Sequence, residues 1–150
     1  MLEEKETNGK VIIQTYNPEN FCIQHAKMQN YNLFYNTEIK LRKQLKYPPF
    51  CDIILFNVSS KEKEKAEFAA KKIFDLLQKN KKKYKVNIEI FNAVPSPISK
   101  IKNNYRWRII TKCKLGNNIL NFVNTSLEEF YKLKIKNVRV VVDSNPNNMN

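Results

Sequence analysis

Two stretches of helical periodicity, each set between short β-rich runs, constrain this chain more than any other feature. Ala66, Ala69, Ile73, Leu76 and Leu77 make one apolar stripe across residues 61–79. Ile119, Val123, Leu127 and Phe130 make another across residues 117–133. Ser59 or Ser60 is placed to cap the first helix. Around these helices the sequence predicts strands at 52–58, 86–91, 105–112 and 138–142. Pro95-Ser96-Pro97 and the polar run to Asn104 read as a loop. The order is β-α-β-β-α-β. Two amphipathic helices need a surface to cover, and one antiparallel four-stranded sheet supplies it. The expected fold class is therefore α+β, a ferredoxin-like two-layer sandwich. Its sheet keeps one face that its own helices leave bare.

Tyr47-Pro48-Pro49-Phe50 interrupts the pattern upstream, because a residue before proline avoids the helical region. A boundary falls there, with residues 1–46 as one piece, 47–146 as the sandwich and 147–150 as a disordered tail. The first piece reads as strand-helix-helix. Val11 to Thr15 is a short β-rich run, and Asn17-Pro18 reads as N-cap and first helical residue. A second helix spans 31–45, with Glu38 and Arg42 four apart in the favourable acid-first order. Met1 to Asn8 is polar and expected to fray.

Charge and glycine count narrow the function. Among 150 residues, 27 Lys+Arg stand against 14 Asp+Glu, a formal net charge of +13. A field of this sign concentrates nucleic acid or another polyanion around the protein. The alternative is a solubility charge in a chain rich in Lys and Asn. The only 2 glycines, Gly9 and Gly116, are too far apart for a GxxxxGK or GxGxxG phosphate loop. Cys22, Cys51 and Cys113 are odd in number and widely spaced, which fits neither a disulfide framework nor a zinc-binding CxxC pair. No apolar run approaches a membrane span, and Met1 to Lys10 does not read as a signal peptide. A reduced, cytoplasmic setting without a membrane partner is expected.

The sharpest candidate site lies between Lys100 and Lys114. Lys100, Lys102, Arg106, Arg108, Lys112 and Lys114 occur there with no acid, interleaved with Tyr105 and Trp107. In a strand, alternation puts Arg106 and Arg108 on one face and Trp107 and Ile109 on the other. With Trp107 under the helices, the arginines stand on the bare face and can fork phosphate oxygens. Arg139 in the last strand adds to that face. Lys81, Lys82 and Lys83 have no nearby acid and are further phosphate candidates. The alternative for all of them is an ordinary solvated surface. Catalysis finds no foothold: His25 is the only histidine, and Cys22 three residues before it has neither an oxyanion hole nor further metal ligands in reach.

Several ordered pieces resemble one family. Gly9-Lys10-Val11-Ile12-Ile13-Gln14-Thr15 with Pro18, then Tyr31, Phe34, Glu38 and Arg42, then Tyr47-Pro48-Pro49-Phe50 follow its pattern. Pro95-Ser96-Pro97-Ile98 with Lys100, Tyr105-Arg106-Trp107 and Asp143-Ser144-Asn145-Pro146 continue it, with Asn145 where the family carries a second acid. The combination resembles the C-terminal part of the PriA family (primosomal protein N-prime), bacterial replication-restart helicases. The resemblance implies that residues 1–46 are the tail of the second helicase lobe and 47–146 a C-terminal domain that binds forked or single-stranded DNA. It further implies primosome components and the acidic tail of single-stranded DNA-binding protein as partners. The family's ATP, magnesium and zinc would be held elsewhere, since the P-loop, the acidic metal motif and the zinc cysteine pairs do not occur in this sequence. The chain reads as a fragment of an ATP-dependent 3′-to-5′ helicase, without catalytic residues or cofactors of its own. Its first ~45 residues carry apolar side chains suited to packing on that lobe.

Overall fold

The computed structural model describes Gly9 and residues 11–147, so the frayed start expected at Met1 to Asn8 and residues 148–150 of the expected tail lie outside the described residues. The chain divides into two compact units, one ending at Gln44 and the other beginning at Leu45.

The first unit holds two helices, α1 (Phe21–Lys27) and α2 (Tyr31–Leu45), the latter running one residue past the division. The expected strand at Val11 to Thr15 is not formed: the run has no regular structure and pairs with no strand among the described residues, and Val11 and Ile12 are each 83% exposed. β-propensity without a partner strand leaves backbone groups to water. Helix α1 also starts later than Asn17-Pro18 suggested. Asn20 is the N-cap, its side chain accepting from the Cys22 amide at 2.9 Å, while Asn17 closes a preceding turn. Helix α2 begins where expected, with the Asn30 side chain accepting from the Leu33 amide and Arg42 bonding Glu38 at 2.7 Å. No residue of either helix is buried.

The second unit is the sandwich. Its elements are β1 (Asp52–Ser60), α3 (Lys63–Tyr84), β2 (Ile88–Ile90), β3 (Val94–Ile101), β4 (Asn104–Cys113), α4 (Asn117–Lys132) and β5 (Val138–Ser144). The sheet runs β2-β4-β1-β5, with β3 also paired to β4. All pairings are antiparallel. Beside β4, β2 and β3 share one edge, β2 against Thr111 to Cys113 and β3 against Asn104 to Arg108.

Strand β3 is the main departure from expectation. Prolines removed the 95–104 stretch from consideration as a strand, but an edge strand tolerates residues that lack an N–H. The hairpin then turns on Lys102 and Asn103, both at positive φ (46° and 64°). That is the two-residue turn whose twist suits adjoining strands, made here without glycine. A chain with 2 glycines must use other residues in the left-handed region: Lys46, Lys85 and Lys134 each take φ near 50° just past a helix.

Helices α3 and α4 cover one side of the sheet. Ile54, Phe56, Val58 and Ile109 from the strands meet Ala69, Ala70, Ile73, Leu77, Phe122, Val123 and Phe130 from the helices. Trp107 packs against this core as expected of its parity. Between the helices, buried Asn80 donates to Ser126 Oγ at 3.1 Å, and Ser126 Oγ donates to the Phe122 carbonyl. Ser60 does not cap α3 in the ordinary way; it ends β1, and its hydroxyl accepts from the Glu62 amide at 3.2 Å.

Candidate nucleic-acid interface

The side of the sheet away from α3 and α4 carries the odd residues of β1, the even residues of β4 and the odd residues of β5. Register fixes what stands beside what. Arg106 lies opposite Ser59, and Ser59 lies opposite Arg139, so the three form one row across β4, β1 and β5. The next row is Arg108, Asn57 and Val141. Strands are about 4.8 Å apart, so Arg106 and Arg139 leave the backbone about 10 Å from one another with a hydroxyl between them. An arginine side chain is long enough to reach across much of that gap, so the row can present two guanidiniums to one oxyanion.

Arg106 and Arg108 are partly buried and Arg139 is exposed. Ser59, Lys61, Asn104, Arg106, Asn137 and Arg139, with Glu62 on the rim, line a shallow cleft of about 710 Å³ at this end of the sheet. Its donors outnumber its one carboxylate, and Glu62 is already bonded to Lys65 at 2.7 Å. The arrangement suits an oxyanion with several oxygens, such as a phosphodiester, and contains no nucleophile–base pair.

Further along the same face the surface turns apolar, then closes. Ile53 and Leu55 are buried there (3% and 2% exposed) although no helix of the sandwich covers them. Lys112 explains part of the closure. Its ammonium donates to the Leu45 carbonyl at 2.8 Å and sits 4.1 Å from the Tyr47 ring centre and 5.3 Å from that of Phe91. Lys112 thus straps the Tyr47-Pro48-Pro49-Phe50 segment to the sheet, and the Pro48–Pro49 bond there is cis. Its charge is spent on this strap.

The remaining candidates are not brought to that face. Lys102 sits in the β3–β4 turn, and Lys100 lies over the Tyr105 ring at 4.8 Å. Lys81, Lys82 and Lys83 form the last turn of α3, in the helical layer and at the opposite end from Arg106. There they complement the negative end of the helix. Ser59, Asn57 and Asn137 were not singled out by the linear pattern. β-Pairing makes Ser59 and Asn57 neighbours of the arginines; of the three only Asn57 fell within a predicted strand, where its parity was the one available signal, while Ser59 was expected at the start of the first helix.

A second basic cleft, about 700 Å³, opens at the far end of the unit. Lys46, Lys85, Lys112 and Lys114 line it with Phe50, Tyr84, Val86 and a single acid, Glu89. Cys51 and Cys113 also face it; burial pushes the Cys113 thiol up to about 11 and the Cys51 thiol up as well. Neither thiol is poised as a nucleophile. The described residues gather no group of three or more His, Cys, Asp or Glu side chains placed to hold a metal ion. No helix of the described residues is long and apolar enough to cross a membrane.

The chain is similar to known proteins over most of its length. Residues 43–147 match the family described as primosomal protein N C-terminal domain. The replication restart protein PriA of Bacillus subtilis is 34% identical over 142 residues, covering 94% of this chain and 17% of that protein. Its namesake in Borreliella burgdorferi is 34% identical, covering 79% of this chain and 18% of that protein. The one in Thermotoga maritima is also 34% identical, covering 69% and 13%. The chain therefore spans less than a fifth of the length of these relatives. Among solved structures, a designed protein named Foldit4 aligns at 15% identity and TM-score 0.45, over 65% of this chain and 99% of its own.

Proposed function

The chain belongs to the PriA family of replication-restart proteins, as its C-terminal portion, and we propose that it holds branched or single-stranded DNA by phosphate contacts on the bare face of its sheet. The observation that carries this reading is the row Arg106–Ser59–Arg139, two guanidiniums flanking a hydroxyl on the side opposite both helices. Arg108 stands on the same face in the neighbouring row, beside Asn57 and Val141. A net charge of +13 supplies the long-range attraction that brings DNA to the face. Contacts of this kind fix position on the backbone and read no sequence.

In this reading the chain grips and does no chemistry. ATP hydrolysis and 3′-to-5′ unwinding belong to other segments of the longer protein, and the grip holds a fork in register for them. Fluorescence anisotropy with fork and single-stranded DNA tests it. Arg106→Ala/Arg108→Ala should weaken binding tenfold or more, at about 1–2 kcal/mol per lost charged contact. Unchanged affinity removes the assignment.

The second basic cleft favours an additional partner. Lysines at 46, 85 and 114 around Phe50 and Tyr84 suit an acidic peptide, such as the tail of single-stranded DNA-binding protein. Binding of such a peptide should survive Arg106→Ala/Arg108→Ala and fail in Lys85→Glu/Lys114→Glu.

A further inference from the structure

Strand β5 ends the sheet on the side away from β2, and its backbone direction follows from two hydrogen bonds. The Phe91 amide donates to the Ile110 carbonyl at 2.9 Å, so even residues of β4 point away from β1. The Asn145 amide donates to the Ile53 carbonyl at 2.7 Å, so odd residues of β1 and of β5 point at one another. Antiparallel pairing alternates strictly. The N–H and C=O groups of Val138, Val140 and Val142 therefore face outward from the edge of the sheet, in a row ready to pair with another strand.

The sequence of this edge is complementary to itself. Around Val141 the order is Arg139, Val140, Val141, Val142, Asp143. An antiparallel copy centred on Val141 sets Arg139 against Asp143 of the second copy, twice. It also sets Val140 against Val142, and the outward-facing residues of one strand meet those of the other. Arg139, Val141 and Asp143 are exposed on the bare face, and Val141 is 41% exposed. Charges on an edge strand commonly prevent such pairing, because like meets like in most registers. Here the two charges are opposite in sign and equidistant from the centre.

We propose that two copies of this chain pair edge to edge through β5, antiparallel about Val141, with the Arg139 and Asp143 side chains as the reciprocal lock. The two-fold axis stands perpendicular to the sheet, so both bare faces lie on the same side. The Arg106 residues of the two copies are then five strand spacings apart across the sheet and four residues offset along it, about 28 Å in all, on one continuous surface. The contact is small and the association weak, in the class of transient interfaces. Net repulsion between two strongly positive chains opposes it, so screening helps: the dimer strengthens between about 50 and 200 mM salt. DNA binding has the opposite salt dependence, so the two ideas stand or fall separately.

Sedimentation velocity of the DNA-free chain, with charge reversals, is the test. The native chain should form dimers, and Asp143→Arg or Arg139→Asp should each weaken dimerisation about tenfold or more by setting like charges opposite one another. The double exchange Arg139→Asp/Asp143→Arg should restore it. Val141→Cys gives a reading independent of stability, because position 141 meets itself in a non-hydrogen-bonded pair, at about 4.5 Å between Cα atoms, within disulfide range. Mild oxidation should cross-link that variant and not the native chain, whose Cys22, Cys51 and Cys113 serve as the control. A native chain that stays monomeric overturns the proposal. So does association that single reversals leave unchanged, capture of an unrelated extended peptide without Val141→Cys cross-linking, or failure of the double exchange to rescue.

Discussion

Asp52 and Asn145 lock the last strand to the first. One carboxylate oxygen of Asp52 accepts from Asn145 Nδ2 at 2.8 Å, and the other accepts from the Leu115 amide at 2.8 Å. Asn145 Oδ1 in turn accepts from the Ile53 amide at 2.9 Å. One amide side chain thus serves as donor and acceptor at once, which the second acid of the family pattern does not do when ionised. Asn145→Asp should set two carboxylates about 3 Å apart and lower stability by about 1–2 kcal/mol at neutral pH.

The same clamp gives stability a defined pH dependence. The Leu115 amide and then the Asn145 side chain hold the Asp52 carboxyl below its ordinary value of 3.8. A depressed folded-state value contributes stability that is fully present above the unfolded value and is lost as pH falls through the folded one. Urea melts of the native chain and Asp52→Asn should differ by about 1 kcal/mol at pH 7, a figure reduced for solvent screening. The gap should close below about pH 4. A gap that persists at pH 2.5 would show that the carboxylate charge is not what holds the clamp.

Lys112 carries a different expectation from the arginines on its own strand. Its ammonium is engaged by the Leu45 carbonyl and the Tyr47 ring. Lys112→Met removes one charged hydrogen bond and one cation–π contact, so it should cost about 2 kcal/mol of stability. Its effect on DNA affinity should be small at a temperature where the variant stays folded. Chemical denaturation read beside anisotropy separates the two quantities.

How much of this was legible in the sequence depends on the kind of order each feature needs. Period-two alternation around Trp107 was enough to put Arg106 and Arg108 on the bare face, because a tryptophan and an arginine compete poorly for the same side of a half-buried strand. Apolar stripes placed α3 and α4, although the stripe stops at Leu77 and α3 runs on to Tyr84 through lysines that favour the helix and its negative end. Strand β3 was hidden by Pro95 and Pro97, since a sequence does not say which strand will be an edge. The run at Val11 to Thr15 failed for the converse reason: its propensity was sound, and no strand was there to pair with it. The neighbours of the arginines, Ser59 and Asn57, and the capture of Lys112 by Tyr47 depend on register and chain reversal, which leave no local trace.

Scarcity of glycine makes another expectation. Lys85 ends α3 in the left-handed region at φ 50°. An L side chain there costs about 1–2 kcal/mol. Glycine removes that strain and adds some unfolded-state entropy. Lys85→Gly should therefore raise stability by about 0.5–1 kcal/mol, visible as a higher denaturation midpoint with an unchanged m-value. A lowered midpoint would mean that the lysine side chain contributes more through its contacts than its backbone loses.

Placement, rather than total charge, decides the DNA reading. Arg106 and Arg139 stand in one row, whereas Lys81, Lys82 and Lys83 sit at the end of α3 in the other layer. If about six phosphates are neutralised, log affinity should fall against log salt with a slope near −5, roughly a thousandfold between ~50 and ~200 mM. Each lost phosphate contact should reduce that slope by about one. Arg106→Ala/Arg139→Ala should flatten it by about two, while Lys81→Gln/Lys82→Gln/Lys83→Gln, which removes more charge, should leave it nearly unchanged on single strands. Equal flattening per charge in both variants would mean that DNA responds to the field of the whole domain, and the row of arginines would lose its special standing.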